Sequence, residues 1–236
     1  MPATFTPFTP LKHYDFDFRK YLGIKEVKSI FGNLSFYNDW VNFWCSLFDQ
    51  EEIFVKDYIK KFPNSNPVLQ RIKHGISPGE YEMFTYEHIT PVGKYTYHFD
   101  VERMKYLTHT REVPIEKISI DSLYIDETAP LLKEKLNDTR TPFVVEIFGV
   151  PKPFVCVDGN KRLKAQLKAN NLSEIEAFVF ADDIISEVFF ASPDLWYYML
   201  HREMEIMYTE LEATSDESKV LKLTQMYHRN MARHGE

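Results

Sequence analysis

The residues best suited to chemistry in this chain stand together at Asp158-Gly159-Asn160-Lys161-Arg162. The apolar run Phe154-Val155-Cys156-Val157 leads into them as a strand. Leu163 and Leu167 then recur at helical spacing, which predicts a helix from Asn160 to about Asn170. A helix that opens directly off a strand offers its first backbone N–H groups, unpartnered within the helix, at its positive end. Gly159 lets an anion approach the backbone, and the side chains of Lys161 and Arg162 add charge. The chemistry is capture of a phosphate by Gly159, Asn160, Lys161 and Arg162, with Lys164 following on the same helix. The plainer reading is a surface helix capped by Asp158, with Lys161, Lys164 and Lys168 forming a solvated face.

A nucleotide phosphate in such a turn brings Mg²⁺ with it, and catalysis then needs carboxylates close by. Three are candidates for a catalytic role: Asp158 before the turn, Glu146 at the end of a neighbouring strand, and Glu116 after the first strand. His74, His88, His98 and His109 fall at no metal-ligand spacing, so no metal site is expected. Cys45 and Cys156 are far apart and fit neither a zinc knuckle nor a CxxC pair, so they read as lone thiols of a reducing compartment.

The elements around the turn follow from pattern. Pro7 and Pro10 argue for an extended start to about Leu22. Trp40, Val41, Trp44, Leu47, Phe48, Phe54, Val55, Tyr58 and Ile59 mostly keep helical spacing from Asn38 to Phe62, with a break expected at Asp49 to Glu52. Pro63 to Pro67 reads as a loop. Lys94-Tyr95-Thr96-Tyr97-His98-Phe99 alternates as a half-buried strand, and Pro91-Val92-Gly93-Lys94 joins it to an earlier strand, Glu82 to Ile89, as a hairpin. A strand over Val113 to Ile118, a short helix from Thr128 to Leu136, strands over Pro142 to Phe148 and Glu174 to Phe180, and helices from Ile184 onward complete the series. In the last of these, Leu195, Trp196, Met199, Leu200, Met204 and Met207 mark an apolar face suited to packing or to a homodimer. The fold class is α+β, in three stretches: a helical and hairpin region over 1–110, a small mixed sheet with helices over 111–183, and amphipathic helices over 184–236.

Two families share parts of the central string. Asp-Gly-Asn-Lys-Arg resembles the loop of Fic/Doc proteins, but that family requires a His four residues before the Asp, where this chain has Phe154. The wider resemblance is to ParB/sulfiredoxin-like domains. It rests on Val113-Pro114-Ile115-Glu116-Lys117-Ile118, Thr141-Pro142-Phe143-Val144-Val145-Glu146, Val155 through Ala165, and Ile175 to Phe180, all in the family's order. It implies that Gly159 and Arg162 stand where the family's Gly-x-x-Arg turn binds phosphate. Asn160 takes the place of the sulfiredoxin cysteine, which argues against that activity. Partition proteins usually carry Glu-Arg where this chain has Asn160-Lys161.

Composition limits the function classes. A net charge of −7 weighs against a protein that grips DNA chiefly by neutralising phosphates. Met1 to Phe5 lacks the start of a signal peptide, and no apolar run reaches the roughly 20 residues of a membrane helix, so a cytoplasmic protein with no membrane partner is expected. The expectation is a nucleotide- or phosphate-binding protein, a phosphotransferase or nucleotide hydrolase if it is an enzyme, with a nucleoside triphosphate and Mg²⁺ as the candidate cofactor. The alternatives are a DNA-associated regulator of bacterial or phage origin, and an interaction protein using the fold as scaffold.

Overall fold

The computed structural model describes residues 16–61, 82–170 and 172–234. The expected extended start up to residue 15, the Pro63 to Pro67 loop and His74 lie outside them. The chain is mixed α+β. Helices α1 (Phe18–Leu22), α2 (Lys25–Phe31) and α3 (Tyr37–Lys61) precede an antiparallel hairpin of β1 (Met83–Thr90) and β2 (Gly93–Asp100). Then come α4 (Val101–Thr110), β3 (Ile115–Ser119), β4 (Leu123–Tyr124), β5 (Phe143–Glu146), β6 (Phe154–Asp158), α5 (Asn160–Ala169) and β7 (Glu174–Phe180). Helices α6 (Ser192–Thr214), α7 (Glu217–Lys222) and α8 (Gln225–His234) close the series.

The central sheet has the order β3-β7-β5-β6-β4. β3 lies antiparallel to β7 and β5 antiparallel to β6, while β5 runs parallel to β7 and β4 parallel to β6. Strands β5 and β6 are apolar without alternation because both faces are covered. Val144 and Cys156 point to a smaller core with Leu163 of α5, Ile118, Leu123 and Val179. Val145, Val155, Val157 and Phe180 point to the main core, which also takes in the hairpin, α3 and α6. That core is packed ring on ring: Tyr95 stacks on Tyr197 at 3.8 Å and Phe18 on Phe48 at 3.5 Å.

Three expectations need correction. No break occurs at Asp49 to Glu52, because Asp-Gln-Glu-Glu contains neither Gly nor Pro and simply marks the wetter face of one 25-residue helix. Residues Phe18–Leu22, expected to run extended, form the short α1, with the Asp17 carboxylate capping it on the Lys20 amide. The helix expected from Thr128 to Leu136 is reduced to a single 3₁₀ turn, Lys133–Lys135. There, Asp126 Oδ1 accepts from both the amide and the hydroxyl of Thr128, and Lys164 Nζ takes the carbonyls of Glu127 and Ala129 at 2.6 Å, so the backbone is held in a loop.

Helix α6 packs by the apolar face expected of it, and buried residues of another kind accompany that face. Its buried face is Asp194, Tyr197, Tyr198, Leu200, His201, Glu203 and Met207, a stripe rich in titratable side chains that an apolar count overlooks. Leu200 and Met207 lie in the main core and Leu195, Trp196, Met199 and Met204 pack against it, so this face takes the packing role expected of it. Among the described residues no helix is long and apolar enough to cross a membrane.

Candidate anion-binding site

The turn forms where the sequence places it. β6 ends at Asp158, Gly159 occupies the N-cap position of α5, and the helix begins at Asn160. Gly159 has φ 115°, a conformation that side chains disfavour, and a β-carbon there would stand 2.7 Å from Pro142 Cβ and 3.1 Å from Arg162 Nη2. The glycine is required by its backbone angle and by two close neighbours. It also supplies no side-chain cap, and the first turn of α5 holds no acidic residue.

Asp158 is not the helix cap. Its Oδ2 accepts from Arg162 Nη2 at 3.1 Å, and this pair folds the guanidinium back beneath the turn. Arg162 is 5% exposed, and its Nε has no hydrogen-bond partner among the described residues. A buried guanidinium N–H without a partner is costly, so some acceptor at this place is physically favoured. Asn160 is committed to structure: its Nδ2 donates to the Cys156 carbonyl at 2.8 Å, and its Oδ1 receives the Asp126 amide at 2.7 Å. The parallel pairing of β4 with β6 explains the second contact, because it carries residues 125–129 alongside the end of β6.

These groups border a cavity of about 240 Å³. Lys161, Arg162, Asn160, Gly159 and Asp158 form one side. Lys135, Arg140, Asp126 and Ala129 form another, and Glu82, Met83, Phe84, Val101 and Lys105 come from the hairpin and α4. Arg140 is clamped by Asp138, with Nε and Nη2 at 2.9 and 2.7 Å from its two oxygens, and this pairing holds the Asp138 carboxyl well below the usual carboxylate range. Lys105 is held by Glu82 at 2.6 Å and Glu102 at 2.8 Å, contacts that push its ammonium upward despite the opposing effect of burial.

The expected partners divide. Asp158, Gly159, Asn160, Lys161 and Arg162 come together at the cavity, whereas Lys164 is tied to the Glu127 and Ala129 carbonyls and does not line it. Glu146 and Glu116 do not reach it. Asp158 stands opposite Phe143, and Glu146 is three residues further along β5, roughly 10 Å away. Glu116 lies exposed on β3, three strands from β6, roughly 14 Å across the sheet. Lys105, Glu82, Lys135, Arg140 and Asp126 were not anticipated. Arg140 alone had a signal: it sits three residues before Phe143, and a β5–β6 hairpin register brings that end to the turn.

No family model, curated protein or solved structure matches the chain. The chemistry of the site therefore rests on its own residues. No group of three His, Cys, Asp or Glu among the described residues is arranged to hold a metal ion. Three carboxylates line the cavity: Asp126 accepts from Thr128, Asp158 from Arg162 and Glu82 from Lys105. Cys156 is buried beneath the turn, and burial pushes its thiol far up, so it is no nucleophile.

Proposed function

We propose that this chain is a phosphate-binding protein of ParB/sulfiredoxin-like type, holding the phosphate of a nucleotide or other small ligand at Gly159, Lys161 and Arg162. The observation that carries the reading is the buried Arg162, whose Nε lacks an acceptor among the described residues, beside an uncapped helix start and a cavity rich in cations. The order strand, short strand, loop, strand, strand, turn, helix, strand over 115–180 supports the family resemblance. Asp126 and Asp158 each accept through one oxygen, from Thr128 and from Arg162, and with Glu82 they line the cavity; the reading is one of phosphate binding.

A thermal-shift screen with ATP, CTP, GTP, ADP and inorganic phosphate, each with and without Mg²⁺, tests it. A ligand that binds only the folded chain raises Tm by an amount that grows with its concentration above Kd. At least one should do so, and Lys161→Ala, a change at a half-buried side chain, should remove the effect while the ligand-free Tm stays put. Silence from every anion at millimolar concentration would end the proposal.

A further inference from the structure

Helix α3 outruns the core that holds it. Trp40, Trp44 and Phe48 anchor its first half, and beyond Phe48 none of the described residues of the helix is buried. Glu51 keeps a last tie to α6 by accepting from the indole N–H of Trp196 at 3.2 Å. Two residues on, Ile53 and Phe54 stand side by side, 61% and 57% exposed. Apolar side chains scattered singly over a surface need no explanation, but two large neighbours on one stretch of helix do. Helices draw most of their stability from packing such side chains away from water. We propose that this half of α3 docks antiparallel against the same half of a second copy of the chain. Nothing in this depends on bound phosphate.

The charges choose the occupant. At 3.6 residues per turn, Asp49, Ile53, Phe54, Asp57, Lys60 and Lys61 fall within a sector of about 140° around the helix, and all six are exposed. Along the sector, Asp49 makes the start acidic, Ile53 and Phe54 follow, and Lys60 and Lys61 make the last turn basic. An antiparallel pair with its two-fold axis near residue 55 puts Asp49 of each copy opposite Lys61 of the partner subunit. The four apolar side chains then lie between these ion pairs. The two Phe54 rings are offset by about 3 Å along the helix, within reach across the roughly 8–10 Å between packed helices. A parallel pair sets Lys60 and Lys61 against their own copies and is repelled. A purely acidic or purely basic partner satisfies one end only. The surface complements itself, as a two-fold interface requires.

Size sets the strength. From Asp49 to Lys61 the helix runs about 18 Å, and one contact of that length buries less than the roughly 1,200 Å² of a stable interface. Asp57, in the same sector, adds a desolvation cost. The dimer is therefore weak, with Kd on the order of 100 µM.

Sedimentation velocity of the intact chain from about 5 to about 500 µM tests this, and the dimer fraction should rise across that range. Phe54→Ser should raise Kd at least about tenfold while Tm of the dilute chain stays put, because the side chain is already exposed. Asp49→Lys and Lys61→Glu should each weaken self-association, every change counting twice in a two-fold interface. Mixed together, these two singly substituted chains should pair as well as the unsubstituted chain, because each then meets the opposite charge at both ends. A chain that stays monomeric throughout, a dimer indifferent to Phe54→Ser, or a mixture no better than its components would overturn the proposal.

Discussion

Glu203 offers the sharpest test of the packing that supports the site. Its carboxylate is 4% exposed in the middle of α6. Oε1 accepts from the indole N–H of Trp40 and, at 2.9 Å, of Trp44, both on α3, and Oε2 accepts the backbone N–H of Gln225 where α8 begins. One side chain thus ties three helices. Glu203→Ala leaves three buried donors without an acceptor, at about 1–3 kcal/mol each, so a loss of about 3–6 kcal/mol is expected after some relaxation. That is a large share of the roughly 5–15 kcal/mol that stabilises a typical domain. Glu203→Gln keeps the shape and an oxygen for the indoles, but turns an N–H₂ toward the Gln225 N–H. It should cost about 1–2 kcal/mol. The assay is urea unfolding at pH 7 followed by tryptophan emission, which reports the contact directly because Trp40 and Trp44 are two of the three tryptophans in the chain. Burial pushes the Glu203 carboxyl above its ordinary value, against the pull of Gln225, Trp40 and Trp44. The folded chain therefore holds that proton at higher pH than the unfolded chain does. Stability from this group is greatest below the ordinary carboxylate value and declines as pH rises through the raised one, a component that Glu203→Gln must lack. The reasoning fails if Glu203→Ala costs under about 1 kcal/mol, or if Gln is as damaging as Ala.

Two further outcomes follow from the same geometry. Gly159→Ala forces a side chain into φ 115° against Pro142 and Arg162, and should cost about 2–4 kcal/mol in denaturant unfolding together with the loss of phosphate binding; a neutral substitution would refute the close approach. His88 and His201 are held neutral by burial, with pKa values lowered to about 4 and about 3. Below about pH 6.5 the unfolded chain takes protons that the folded chain refuses, so each histidine removes up to about 1.4 kcal/mol per pH unit, His88 down to about 4 and His201 down to about 3. Tm should fall between pH 7 and 5, and the two rings should show no NMR titration in that range. Titration of either near 6.5 contradicts the burial.

Legibility in the sequence was uneven for local reasons. The hairpin was readable because Tyr95, Tyr97 and Phe99 alternate beside a Pro-Val-Gly turn, and the pairing of Thr90 with Gly93 leaves only Pro91 and Val92 between the strands. The turn was readable because Asp158-Gly159 joins an apolar strand to a helix, a contrast visible within ten residues. Strand β4 was not, since Leu123–Tyr124 is two residues long and gains its strand character only from parallel pairing with Phe154 and Val155. The buried face of α6 was also hidden. Asp194, His201 and Glu203 look like surface residues until their partners Tyr95, Tyr21 and the two indoles come from elsewhere in the chain.

The site divides in the same way. Periodicity and the special backbone freedom of glycine act over a few residues, so the residue order alone was enough for the strand, the glycine, the helix start and the arginine that follows. Which charges face that arginine is a matter of long-range packing. Lys105 reaches the cavity because the hairpin and α4 are fixed against the sheet by the aromatic core, and Arg140 because β5 runs antiparallel to β6. Glu146 and Glu116 look equally suited on paper, but strand register and strand order carry them to other parts of the sheet. Distances of that kind are set by hydrogen-bonded pairing between segments far apart in the chain, and no local pattern encodes them.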